Sequence, residues 1–437
     1  MADVTVGIDI GTTSVKAVAV KADGSIVDRV RVPHPLRVPA PDRLEHDAGR
    51  AWRQGPRRAL RALGRLDPVA VAMSTMVPSL TAVDRSGLPR TPGLLYGDAR
   101  GRSGGFDRRP DSDEGEVLGF LSWTAAEAPG AAGYWPAPAV ANRALGGRGF
   151  IDVGTAFTSM PLFGANGWDA DLCEKCGALP SQLPPVEMMG TVAGRVTGSD
   201  VALAAGCVDG MCEQLVSGAD SVGDVLVICG TTLITWIVTD TQPDVPGLWT
   251  IPQGPPWSVG GPSNAGGLFV GWASRLLGRP AAGETVRPDD VPIWAPYVRG
   301  ERVPLHDPSR RAELRGLNLT HGPAAVQRAA WEASGFVVRH VIDLAGAPTR
   351  RIVATGGGTR VDGWMRALAD CTGLPVHVAA EPEGAAMGAA WLARMAVGLE
   401  SGLEGAKAWA RTGRVVDPDP AWVEGAAVRY KLFRALT

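Results

Sequence analysis

Apolar and β-branched residues fill positions 4–10 and 15–20, and the residues between them, Gly11-Thr12-Thr13-Ser14, are small or hydroxylated. Runs of that length on either side of a glycine turn predict a β-hairpin. The pattern returns at 225–238, where apolar runs flank Gly230-Thr231-Thr232. Another strand is expected at 25–32 after the Ala22-Asp23-Gly24 turn, and buried strands at 69–73, 80–83, 201–205, 351–355 and 375–378. A helix opening at Glu45-His46-Asp47, capped by Asp47, would bury Trp52, and another would start at Met211. The longest helical pattern, 321–344, turns Val326, Ala330, Phe336, Val337 and Val341 inward. Thr359 and Asp362 have capping-box spacing ahead of Trp364, Met365 and Leu368. Residues 381–395 read as a small-residue helix in which Ala385, Gly388 and Ala389 permit close packing. Residues 33–41 are a proline-rich connection, and 101–116, rich in Gly, Arg, Asp and Ser, a mobile surface loop.

At 437 residues the chain is long for one core and predicts two domains. Its 45% hydrophobic and 20% charged residues, with a formal charge of −2, suit a globular protein and give no basic excess for nucleic acid or an anionic membrane. No apolar run approaches a membrane span, and the start of the chain carries no leader pattern. Six cysteines, including a lone Cys173-x-x-Cys176, form no disulfide framework, so reduced thiols in a cytoplasmic protein are expected.

The first hairpin holds candidate chemistry. Gly11 lets a ligand approach the backbone, and the hydroxyls of Thr12 and Thr13 with the turn amides offer donors to an anion. Asp9 directs a carboxylate to the same place, which makes sense if Mg²⁺ or its waters lie between it and a phosphate. Lys16 adds a positive charge. Two such hairpins suggest two related domains facing each other across a nucleotide. Asp209, between a strand and a helix, either accepts a proton from a hydroxyl or caps the helix. Asp98 and Arg100 either read vicinal hydroxyls or form a plain ion pair. Gly356-Gly357-Gly358 either leaves room for a flat adenine or is only a turn.

These residues lie in strings that resemble the FGGY family of carbohydrate kinases, nearest to its xylulose kinases. They are DIGTTSVKA from Asp9, LEHDAGRAW from Leu44, LLYGDARG from Leu94, AAGCVDGMCEQLVSGA from Ala204, CGTT from Cys229, PYVRGERVPLHDPSRRAELRGL from Pro296, ATGGGTRVDGWMRALAD from Ala354 and EPEGAAMGAAWLA from Glu381. They follow the family's order along the whole chain. The resemblance implies an α/β, two-domain fold of the actin/hexokinase/Hsp70 type, related to ribonuclease H, with nucleotide in the interdomain cleft. It implies an N-terminal domain over 1–197 and a C-terminal domain over 198–437. The implied activity is ATP-dependent phosphorylation of a small sugar or polyol, with ATP and Mg²⁺ as cofactors, and a homodimer is an option.

Carried over residue by residue, Asp209 is the catalytic base and Asp9 the metal ligand. Gly11, Thr12, Thr13, Lys16, Gly230, Thr231 and Gly267 fall at the phosphates. Gly357, Gly358 and Asp362 fall on the adenosine side. Met76, Tyr96, Asp98, Arg100 and Asp209 fall at the acceptor. The chain departs from xylulose kinases at Met76-Val77-Pro78, where the family has Gln-Met-His, at Tyr96, where it has tryptophan, and in a shortened 101–150 region. A smaller, less polar or differently shaped acceptor is expected from this. Alternatives are a family kinase acting on glycerol, a tetritol, a cyclitol or a biosynthetic sugar, or a non-catalytic nucleotide- and sugar-binding sensor.

Overall fold

The computed structural model describes residues 3–101, 116–252, 256–278 and 280–437, so the loop expected at 101–116 falls almost wholly outside the described residues. Two compact units form. The first is Met1–Val216 with Glu383–Trp409, the second Ser217–Pro382 with Ala410–Thr437.

The first unit is built on a six-stranded sheet, ordered Val192–Arg195, Ala202–Val208, Ala70–Thr75, Thr5–Ile10, Ser14–Val20, Ile26–Pro33. The expected hairpin is formed, with Asp9 opposite Lys16. Its first strand also pairs in parallel with Ala70–Thr75, setting Asp9 beside Ser74. Every residue of Thr5–Ile10 is buried, as a central strand covered on both faces requires. Helix Gly384–Ala396 supplies one cover, and its small residues let it sit against bare backbone. A Cβ on Gly7 would lie 1.7 Å from Ala386 O, and one on Gly388 would lie 2.0 Å from Cys212 O. Val6, Ile8, Ile10, Val15, Val71, Met73 and Leu203 make the core beneath the sheet.

This sheet does not end at residue 197. Ala202–Val208 pairs in parallel with Ala70–Thr75, and the later Glu383–Trp409 segment returns to the same unit. The expected division at 197/198 therefore does not coincide with the observed one, because pairing with a strand distant in sequence leaves no mark on local composition. Glu45–His46 is a short strand, not the start of a helix, and a π-helix at Gly49–Gln54 leads into helix Gly55–Leu63. Asp47 Oδ1 does accept the Arg50 N–H at 3.0 Å, and Trp52 is fully buried.

The second unit repeats the plan. In its seven-stranded sheet, hairpin Asp224–Cys229/Leu233–Thr239 pairs through its first strand, in parallel, with Arg351–Thr355. Helix Pro323–Ala345 packs against both Gly267–Leu277 and Asp362–Thr372, and all three contribute to its core. Buried Glu332 is clamped by Arg328 at 2.8 Å and by two nitrogens of Arg429 at 2.7 Å. The expected capping box is not made. Thr359 Oγ1 donates to Gly356 O at 2.7 Å, and Asp362 pairs with Arg414.

Candidate active site

In the first unit the Gly-Thr-Thr turn closes through the Gly11 N–H on Ser14 O at 3.1 Å. Thr12 is buried, and its hydroxyl shares a 2.8 Å hydrogen bond with Tyr96 OH, while Thr13 is exposed. The Thr12 carbonyl accepts from His46 Nε2 at 2.7 Å, and the Thr13 carbonyl from the His34 backbone N–H at 3.0 Å. Beside the turn, Asp9 meets Lys16 Nζ at 3.5 Å and Ser74 Oγ at 3.4 Å. Burial raises the Asp9 carboxyl above its ordinary range, against the pull of Lys16. The Asp9 charge in turn raises Lys16.

Asp209 opens helix Asp209–Leu215 directly after strand Ala202–Val208, which runs past the turn expected at 206. It is half-buried, and its Oδ1 accepts the neighbouring Gly210 N–H at 2.8 Å. Burial first, then the charge of Asp9, pushes its carboxyl up to about 7. A carboxyl near 7 is half ionised at neutral pH and is a stronger base than an ordinary aspartate. In the same helix, buried Glu213 accepts the Ala385 N–H at 2.7 Å and so caps the helix that covers the sheet.

Three acceptor-side candidates are engaged within the protein. Asp98 is wholly buried, and its oxygens accept from Leu44 N at 2.5 Å and from Arg100 Nε and an Arg100 terminal nitrogen at 2.8 Å each. Arg100 also reaches Glu45 at 2.9 Å and lies over the Trp123 ring. Asp98 and Arg100 thus form an ion pair with each other. Met76 is 1% exposed, within the apolar core, whereas Val77 and Pro78 line a small pocket with Leu80, Tyr134 and Trp168.

In the second unit, Gly267 N–H donates to Gly230 O at 2.8 Å and Leu268 N–H to Thr231 O at 3.1 Å. Bare backbone is required here, since a Cβ on Gly267 would lie 2.7 Å from Gly230 O. Gly356, at φ +88°, turns the chain after strand Arg351–Thr355. A Cβ on Gly358 would strike the Trp364 ring at 2.3 Å and Cys229 O at 2.8 Å. This brings the glycine turn against the strand end that precedes Gly230. Asp362 is instead drawn to Arg414 on a largely exposed face. Fully buried Glu301 accepts from Ser263 Oγ and Asn264 N at 2.8 Å and Arg302 N at 2.7 Å, fixing the turn that leads to Gly267.

Sequence reasoning missed His46, Trp52 and Glu301 as parts of these sites. His46 and Trp52 stand in the LEHDAGRAW string, where Glu45-His46-Asp47 reads as a helix start with Trp52 on its buried face. Their indole-to-imidazole contact, 2.9 Å from Trp52 Nε1 to His46 Nδ1, depends on the strand and π-helix between them.

The FGGY family of carbohydrate kinases, N-terminal domain, matches residues 4–103, and its C-terminal domain matches 225–397. Gluconokinase of Bacillus subtilis (strain 168) is 26% identical, over 91% of this chain and 88% of its own. Xylulose kinase of Escherichia coli (strain K12) is 24% identical, over 91% of each. The crystal structure of gluconate kinase from Lactobacillus acidophilus matches the fold with a TM-score of 0.81 at 21% identity, over 100% of this chain and 97% of that one. Both halves of the family pattern are present, on an α/β architecture shared with its solved members: the chain belongs to the FGGY family of carbohydrate kinases, ATP-dependent phosphotransferases.

Proposed function

We propose that this kinase phosphorylates a hydroxyl of a small sugar, sugar acid or polyol, with Asp209 as the general base. The observation that carries the reading is the Asp209 carboxyl, half-buried at the end of a sheet strand and raised to about 7 beside Asp9. Phosphoryl transfer needs positioning and charge neutralisation more than covalent help. Asp209 would take the hydroxyl proton as the oxygen attacks, a role typically worth about 10²–10⁴-fold in rate.

The phosphate-holding residues on this reading are Gly11, Thr12, Thr13, Lys16, Gly230 and Thr231. Thr13 offers its hydroxyl and N–H from an exposed position, and Lys16 a charge. Thr12 contributes through the backbone, because its hydroxyl is engaged by Tyr96. Gly267 supports Gly230 through its N–H. Gly357 and Gly358 would give the adenine a side-chain-free wall. Asp362, paired with Arg414, would reach adenosine only by changing partners. Mg²⁺ fits Asp9: its two contacts, 3.5 and 3.4 Å, are long, and a carboxylate has lone pairs to spare for a metal-bound water. When bound, Mg²⁺ supplies charge neutralisation on the phosphate oxygens.

On the acceptor side, Asp98 and Arg100 shape the wall by holding each other and Glu45, rather than by offering a free carboxylate. Met76 and Pro78 stand where xylulose kinases have hydrogen-bonding side chains, and Val77 and Pro78 give the pocket an apolar lining, which supports an acceptor other than xylulose. Relatives named for gluconate, xylulose and glycerol set the range to be tried. The test is ADP release with Mg·ATP and a panel of aldonates, ketoses, polyols and cyclitols, for the wild type and Asp209→Ala. Acceptor-dependent turnover abolished in the variant supports the reading. Nucleotide binding without turnover on any acceptor contradicts it.

A further inference from the structure

In each Gly-Thr-Thr turn two consecutive carbonyls are tied back to the protein. The second unit does this with backbone alone, through the Gly267 and Leu268 N–H groups. The first unit uses the His34 backbone N–H for Thr13 O, but a side chain, His46, for Thr12 O. A carbonyl only accepts, so His46 Nε2 is the donor. An indole N–H only donates, so Nδ1 accepts from Trp52. Together the two bonds admit one form of the ring, neutral with its proton on Nε2. Both side chains are 0% exposed, and burial, with repulsion from His34, lowers the imidazole to about 4.

A trans peptide is planar, with its N–H opposite its C=O. The Thr12–Thr13 bond is not among the cis bonds of the chain. Holding the Thr12 carbonyl on His46 therefore turns the Thr13 N–H to the other side. Thr13 is exposed there, and among the described residues its N–H has no hydrogen-bond partner.

We propose that His46 is a positioning residue of the first phosphate loop: by clamping the Thr12 carbonyl, with its tautomer set by Trp52, it aims the Thr13 N–H at a phosphate oxygen of the nucleotide. This rests on the reading of Gly11–Thr13 as a phosphate loop. The test is calorimetric binding of Mg·ADP without acceptor to the wild type, His46→Leu, His46→Gln and Gly11→Val, each checked by thermal melting. The ¹⁵N shifts of His46 in the wild type are read alongside. A glutamine amide nitrogen can stand where Nε2 stands. His46→Leu should weaken binding by roughly tenfold, the worth of one well-placed hydrogen bond, and His46→Gln should recover most of it. The ¹⁵N shifts should show Nε2 protonated and Nδ1 bare. Equal losses in the leucine and glutamine variants, wild-type binding by a folded His46→Leu, or a proton on Nδ1 would each overturn the inference. Gly11→Val separates the two layers. If it too binds as wild type, the phosphate-loop reading fails; if it loses binding while His46→Leu keeps it, only the role of His46 fails.

Discussion

Asp209, half-buried, and Asp9, buried, both have carboxyls raised by burial, but their neighbours differ. Asp9 has Lys16 against it, which offsets part of its burial. Asp209 has burial and the Asp9 charge acting in the same direction, with only the Gly210 N–H and a weaker pull from Lys16 opposing them. A base that must be ionised to accept a proton is disabled as pH falls through its pKa. With saturating Mg·ATP, kcat/KM for the acceptor should therefore show an acid limb of about tenfold per pH unit below the pKa of Asp209, which without bound metal stands at about 7. A flat profile down to about pH 5 would be the signature of an aspartate whose pKa is not raised in the Mg·ATP complex. Asp9→Asn removes the neighbouring charge and should carry any residual acid limb to lower pH.

At the scale of elements, each Gly-Thr-Thr turn is held by a neighbour that is itself fixed by buried polar contacts. In the second unit that neighbour is the Ser263–Gly267 turn, and Glu301 fixes it by accepting from Ser263 Oγ and Asn264 N while also accepting from Arg302 N. Glu301→Ala would leave those donors buried without a partner, a loss on the order of 2–4 kcal/mol in urea unfolding, with KM for ATP raised. A loss within about 0.5 kcal/mol, the range of an ordinary surface change, would mean the turn is held by its backbone alone. The hairpins themselves were legible in the sequence, because apolar runs on either side of Gly-Thr-Thr admit little else. The strands at 351–355 and 375–378 and the long helix were legible for the same reason. What holds the turns was not. His46 and Trp52 meet through a π-helix that no periodicity announces, and the contacts of Asp98 and Arg100 with Leu44 and Glu45 join residues more than fifty positions apart in the chain.

For the whole molecule, the chain leaves its first unit at Val216 and comes back at Glu383 to lay a helix over the strand that carries Asp9. No composition shift marks either crossing, which is why the boundary expected at 197/198 missed strand Ala202–Val208. A fragment of residues 1–197 lacks that strand and helix Gly384–Ala396, and so exposes the apolar faces of its central strands. It should show no cooperative thermal transition by circular dichroism; a sharp transition would mean the first unit folds without them. The family strings, by contrast, were legible from one end of the chain to the other, and they brought Asp9, Asp209 and both turns into view before any geometry. The central claim is that this kinase works through Asp209, and its most direct test is single-turnover phosphoryl transfer by Asp209→Asn with its best acceptor. The account predicts a rate lower by about 10²–10⁴-fold with Mg·ATP affinity within about threefold of wild type. A rate within about tenfold of wild type, at unchanged affinity, would contradict it.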